Sequence, residues 1–160
     1  MDIFEFAINM EKDGEQFYRD LAARTQNTGV RNILTMLADE EVKHIQAIQA
    51  IQTEEYETKP ADVLGTAKNI FQRMKEFGEE FKTDTKEAEV YRQAMEIEDK
   101  SVHFYLDRAD QVKLPRQKQL FLKLAEEEKK HYRLMENLTD FVSRPRQWLE
   151  NAEFFHLDQY

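Results

Sequence analysis

Apolar residues recur at spacings of three, four and seven along most of the chain, the period of helices that bury one face. From Asp2 to about Gln26 the positions Phe4, Ala7, Ile8, Leu21 and Ala22 follow it, and the stretch stops at Asn27-Thr28-Gly29. A second stretch, from about Val30 to Glu54, places Ile33, Leu34, Leu37, Ala38, Ile45, Ile48 and Ile51 on one side. The turn between them is short, so the two helices are expected to be antiparallel neighbours. After Tyr56 the pattern weakens through Lys59-Pro60 and resumes, less regularly, from about Asp62 to Phe81, with Gly65 and Gly78 near its ends. Asp84-Thr85-Lys86-Glu87 has the form of a capping box opening a helix to about Gln111. Pro115 then suits the first turn of another, to about Val142, which Arg144-Pro145 ends.

This pattern predicts an all-α chain: an antiparallel bundle of four long helices at about 2–26, 30–54, 86–111 and 115–142. Residues 55–85 form a crossover that contains a helix. Residues 143–160 form an extension whose Trp148, Phe154, Phe155 and Tyr160 are expected to pack on the bundle or on a second subunit. Four Gly and three Pro in 160 residues leave few places for the helices to break.

Composition narrows the chemistry. With 41% hydrophobic and 34% charged residues the chain reads as one compact domain. The absence of cysteine excludes disulfides, thiolate nucleophiles and cysteine-bound zinc or iron–sulfur centres within these residues. No apolar run could span a membrane, and Met1-Asp2-Ile3-Phe4-Glu5 lacks the basic start of a secretory signal, so a cytoplasmic protein is expected. A net charge of −9 disfavours duplex nucleic acid, whose recognition starts with Lys and Arg on phosphates, and favours small cations.

Sliding the chain against itself by 87 residues aligns the first long helix with the third and the second with the fourth. Ala7, Glu11, Phe17, Tyr18, Asp20 and Ala22 fall on Ala94, Glu98, Phe104, Tyr105, Asp107 and Ala109. Leu37, Ala38, Glu40, Glu41, Lys43 and His44 fall on Leu124, Ala125, Glu127, Glu128, Lys130 and His131. Glu11 lies one turn from Ala7 and Ile8, and Glu98 lies between Ala94, Met95, Val102 and Tyr105, so both sit on apolar stripes. Glu41 with His44, and Glu128 with His131, share a face with leucine, isoleucine and alanine neighbours.

Four buried glutamates need compensation, because one unpaired buried ion costs several kcal/mol and a whole domain is stable by only about 5–15 kcal/mol. Two histidinium ions would offset half of that charge. Two divalent cations would offset all of it and leave both imidazoles neutral, as ligation requires. Surface Glu-x-x-His pairs, protonated carboxyls or buried Glu–His ion pairs are the competing arrangements, and the duplication, the inward register and the matched intervals favour metal. Glu15, Asp39, Glu40, Glu96, Glu126 and Glu127 read as solvated residues or as supports to the ligands, and His103 and His156 fit no ligand spacing.

Ala-x-x-x-Glu-x-x-x-x-x-Phe-Tyr, at Ala7–Tyr18 and Ala94–Tyr105, and Leu-Ala-x-Glu-Glu-x-Lys-His, at Leu37–His44 and Leu124–His131, resemble the rubrerythrins of the ferritin-like superfamily over roughly residues 5 to 140. The resemblance implies a ferritin-like bundle with a di-iron centre. Glu11, Glu98, Glu41, Glu128, His44 and His131 would be its ligands, Glu41 and Glu128 able to bridge, with Tyr18 and Tyr105 hydrogen bonding to them. Rubrerythrins carry a Cys-rich rubredoxin module that passes electrons, so this chain would depend on an external donor. They also place an extra glutamate one turn before the third-helix ligand, where Met95 stands here. The same six-residue set is similar to that of bacterioferritin.

Carboxylates and imidazoles suit iron, with manganese or zinc as competitors. The expected activity is reduction of peroxide or O2 at two iron ions. The alternatives are a ferroxidase or iron-storage protein and a helical module with a structural metal. A homodimer is expected, since such bundles pair through exposed helix faces.

Overall fold

The computed structural model of the chain describes residues 2–52, 62–77 and 85–143. Five helices follow in order: α1 (Ile3–Arg24), α2 (Thr28–Gln52), α3 (Val63–Phe77), α4 (Thr85–Ala109) and α5 (Pro115–Ser143). There is no strand among the described residues, and no helix there is long and apolar enough to cross a membrane.

The four long helices match the sequence expectation, with shifted ends that have local causes. Asp2 caps α1, its carboxylate accepting from the Glu5 amide at 2.8 Å. Helix α2 begins at Thr28 because Asn27 is its cap: the Asn27 side chain accepts from the Val30 amide at 3.0 Å. Thr28 and Gly29 are therefore the first turn of α2 rather than part of a connecting loop. The Arg31 guanidinium reaches back to the Thr25 carbonyl at 2.8 Å and so satisfies the end of α1. Gly29 has a packing reason to lack a side chain, since a Cβ there would lie 2.3 Å from Met74 Sδ of α3.

Short connections make two hairpins, α1 with α2 and α4 with α5, and these pairs carry the most extensive helix contacts. The hairpins meet through α2 against α5 and α1 against α4, while α3 lies across α2 and α5. Helix α3 falls within the expected crossover and docks through Val63, Ala67, Phe71 and Met74, all buried. Residues 78–84, with Asp84 of the capping box, lie outside the described residues, as do Tyr56, Lys59, Pro60 and the aromatic tail.

Apolar packing forms two clusters rather than one. The first joins α3 to Tyr18, Leu37, Ala38, Tyr91, Leu134 and Phe141. The second gathers Ala7, Ile48, Tyr105, Phe121, Leu124 and Ala125. Tyr18 belongs to one and Tyr105 to the other, and both hydroxyls point to glutamates of a polar layer at mid-bundle.

Candidate metal centre

The duplication survives in the burial pattern. Glu11, Glu41, His44, Glu98, Glu128 and His131 are each at most 3% exposed, whereas most of the other acidic side chains among the described residues are at the surface. The inward register read from the apolar stripes of α1, α2, α4 and α5 is the register observed.

Ligand atoms of these six residues converge in two groups, each within 4.8 Å: Glu11, Glu41, His44 and Glu128, and Glu41, Glu98, Glu128 and His131. Each half of the repeat supplies three residues to one group and one carboxylate to the other. His44 Nδ1 lies 3.0 Å from Glu128 Oε1 and 3.3 Å from Glu11 Oε2. His131 Nδ1 lies 3.3 Å from Glu41 Oε1, 3.5 Å from Glu128 Oε2 and 3.6 Å from Glu98 Oε1. The two imidazoles stack with centroids 5.5 Å apart and planes 6° from parallel, so their Nδ1 atoms face the same layer.

The tyrosines cross between halves. The Tyr18 hydroxyl on α1 donates to Glu98 on α4, and the Tyr105 hydroxyl on α4 donates to Glu11 on α1. Burial and the adjacent carboxylates push both phenols well above their ordinary value, so they remain proton donors at physiological pH.

Two acids missed as individuals by periodicity complete the layer. His44 Nε2 lies 2.6 Å from Glu127 Oε2 of the opposite hairpin, which fixes the ring and leaves Nδ1 for the interior. Glu40, the repeat-mate of Glu127, is buried, is held by Lys43 Nζ at 2.8 Å and lies close to both imidazoles. Glu40 and Glu127 are thus supports, whereas Glu15, Asp39 and Glu126 make ion pairs with Arg19 and Lys129 away from the centre and Glu96 is exposed. His103 is exposed beside Asp99, outside the centre, and His156 lies outside the described residues.

The electrostatics divide the four carboxylates. Burial would raise the Glu11 carboxyl, but His44 and the hydrogen bonds from Glu41, His44 and Tyr105 bring it down to about 2. Glu98, likewise buried, is lowered by Glu128, His131 and Tyr18. Burial and the neighbouring glutamates push Glu41 and Glu128 well above 4.5. Burial opposes charge on His44 and His131, yet the facing carboxylates push both well above 6.5. Without metal, the layer therefore favours charge on Glu11, Glu98 and the two imidazoles and favours protons on Glu41 and Glu128.

That proton-neutralised state is incompletely bonded. Glu41 Oε1, Glu98 Oε2 and His131 Nδ1 are buried and make no hydrogen bond, a condition that costs about 1–3 kcal/mol per group. Once their protons are lost, these carboxylate oxygens and the imidazole nitrogen, in two groups that share two glutamates, offer the lone pairs that suit divalent cations of the iron, manganese or zinc type. The buried cluster is thus compatible with metal binding in which cations would take the place of protons.

Comparison with known proteins agrees with the architecture. No curated protein matches the chain. A hypothetical protein from Pyrococcus furiosus has a similar structure, with a TM-score of 0.64, 19% sequence identity and 88% of each chain covered, a likeness of fold alone. The rubrerythrin family matches residues 2–139, which takes in all six converging side chains, both tyrosines and all of the four long helices but the last turn of α5, and the chain belongs to that family.

Proposed function

We propose that the chain is a di-iron carboxylate oxidoreductase that reduces peroxide or O2 with electrons from an external donor. The observation that carries this reading is the pair of overlapping four-residue groups, each with one imidazole, joined by Glu41 and Glu128. Glu11 and His44 would hold one iron ion and Glu98 and His131 the other, with Glu41 and Glu128 reaching both. Two ferrous ions held this way supply the two electrons that peroxide reduction needs.

The residues around them prepare that chemistry. Tyr18 and Tyr105 hold Glu98 and Glu11 in place by donating hydrogen bonds, and Glu127 fixes the His44 ring. The two apolar clusters keep bulk water from the layer, which strengthens every charge interaction within it.

Anaerobic loading with two equivalents of Fe(II), followed by mixing with H2O2 or air-saturated buffer, tests the reading. Rapid oxidation monitored in the near ultraviolet, faster with one oxidant and reversed by a chemical reductant, is expected. Iron that stays ferrous with both oxidants overturns it. Continued uptake of iron beyond two per chain into a hollow assembly would establish storage instead, and a loaded centre with no redox transition would establish a structural metal.

A further inference from the structure

Gly14 lies inside α1, buried, at a position where glycine weakens a helix relative to any ordinary residue. It is three residues after Glu11, on the face that turns to the polar layer. A Cβ built there would lie 3.3 Å from Glu41 Oε2, 3.5 Å from its carboxyl carbon and 3.7 Å from its Cγ. The three nearest atoms all belong to Glu41. The repeat-mate at the offset of 87 is Ser101, whose side chain is accommodated and donates back to the Ile97 carbonyl at 3.0 Å. The two halves therefore differ at this point.

Two further observations single out Glu41. It is one of the two carboxylates common to both groups of ligand atoms. Its Oε1 is buried without a hydrogen bond, while Oε2 is the atom nearest the vacant Cβ position. The contact at 3.3 Å is tighter than nine in ten such contacts in proteins, so a methyl group would press the carboxylate back by a few tenths of an ångström. Ligand distances at a metal site hold within about 0.2 Å, so a retreat of that size is enough to spoil coordination.

We propose that Gly14 is the positioning residue for Glu41, a side-chain-free point on α1 that lets the Glu41 carboxylate lie against the helix and turn its oxygens to the two groups of ligand atoms. The inference rests on the metal centre proposed above. It also gives the glycine a reason: helix stability is given up for the placement of one oxygen pair.

Titration with Co(II), followed by its visible absorption bands and by stoichiometry, separates the two ideas. The unsubstituted chain is expected to bind two Co(II). Gly14→Ala is expected to melt no lower without metal, because alanine is the better helix former, yet to bind Co(II) at least tenfold more weakly with altered bands. Shortening the carboxylate in Gly14→Ala/Glu41→Asp should recover at least threefold of that loss, and Ser101→Ala should bind as the unsubstituted chain does. Gly14→Ala with unchanged affinity and bands overturns the inference while leaving the metal centre standing. If Gly14→Ala does not fold, a double variant that folds and binds supports the inference, and one that also fails to fold overturns it. Unsubstituted protein that takes up no Co(II) overturns the centre and the inference together.

Discussion

Stripping the metal should make the stability of this bundle fall as pH rises, opposite to what a protein rich in ordinary carboxylates does. Folded, Glu41 and Glu128 titrate well above 4.5, and His44 and His131 well above 6.5. Each raised group holds its proton in the folded state after the unfolded chain has released it. Its contribution is complete below the unfolded value and is lost as pH climbs towards the folded value. Between pH 4.5 and 6.5 the two carboxyls act, at about 1.4 kcal/mol per group per pH unit, and above 6.5 the imidazoles join them. For a chain of this size one such group corresponds to roughly 3–6 °C per pH unit in melting temperature. Glu11 works the other way, its contribution being lost only as pH falls from 4.5 towards about 2, below the window of interest. Thermal unfolding by circular dichroism of chelator-treated protein at pH 5, 6, 7 and 8, repeated with saturating Zn(II), measures both limbs. Metal-free melting should drop across the series and the zinc-loaded form should lie above it by a margin that widens with pH. A metal-free melting temperature that is flat or rises from pH 5 to 8 would refute the protonation pattern on which the exchange of protons for cations depends.

Glu127→Ala removes the acceptor of His44 Nε2 and should weaken Zn(II) binding by about 10–100-fold, most of it recovered by Glu127→Gln; equal losses in the two variants would contradict the orienting role. Tyr18→Phe and Tyr105→Phe each delete one hydrogen bond to a buried carboxylate and should cost about 1.5–3 kcal/mol of metal-free stability in urea unfolding. Because the two contacts are related by the repeat, the costs should agree within about 1 kcal/mol, and a loss below about 0.5 kcal/mol in either would count against the crossed pairing. Gly29→Ala drives a methyl into Met74 and should destabilise the docking of α3 by about 1–3 kcal/mol, with Gly29→Ala/Met74→Ala recovering part of it; an unaffected single variant would show that α3 can shift at no cost.

The helices and the six inward residues were legible because both are one-helix properties: the apolar period sets a face, and a glutamate or histidine within that face has nowhere to point but inward. Glu40 and Glu127 were harder for a reason that lies in helix crossing. Each sits one residue before a converging glutamate, about 100° around the helix, where the pattern assigns the solvent flank. Glu127 acquires its partner only because α5 brings that flank against His44 of α2. The repeat did mark both acids, but it marked Asp20 and Asp107 in the same way, and these are exposed. Duplication alone therefore does not separate a supporting acid from a solvated one. Gly14 escaped for another reason: a glycine within a helical stretch reads as a tolerated weakness until the neighbouring helix supplies Glu41 as the group that needs the space.

The pattern of contacts also argues against viewing the centre as two half-sites placed side by side. Tyr18 serves Glu98, Tyr105 serves Glu11, Glu127 serves His44, and Glu41 and Glu128 each belong to both groups of ligand atoms. Every one of these links crosses from one helical hairpin to the other, so neither hairpin alone contains a complete group, a supported histidine or a tyrosine-bound glutamate. The two apolar clusters also contain residues of both hairpins. Cations placed between the hairpins would therefore add a polar tie to that apolar packing, and binding at the centre would stabilise the folded bundle by linkage.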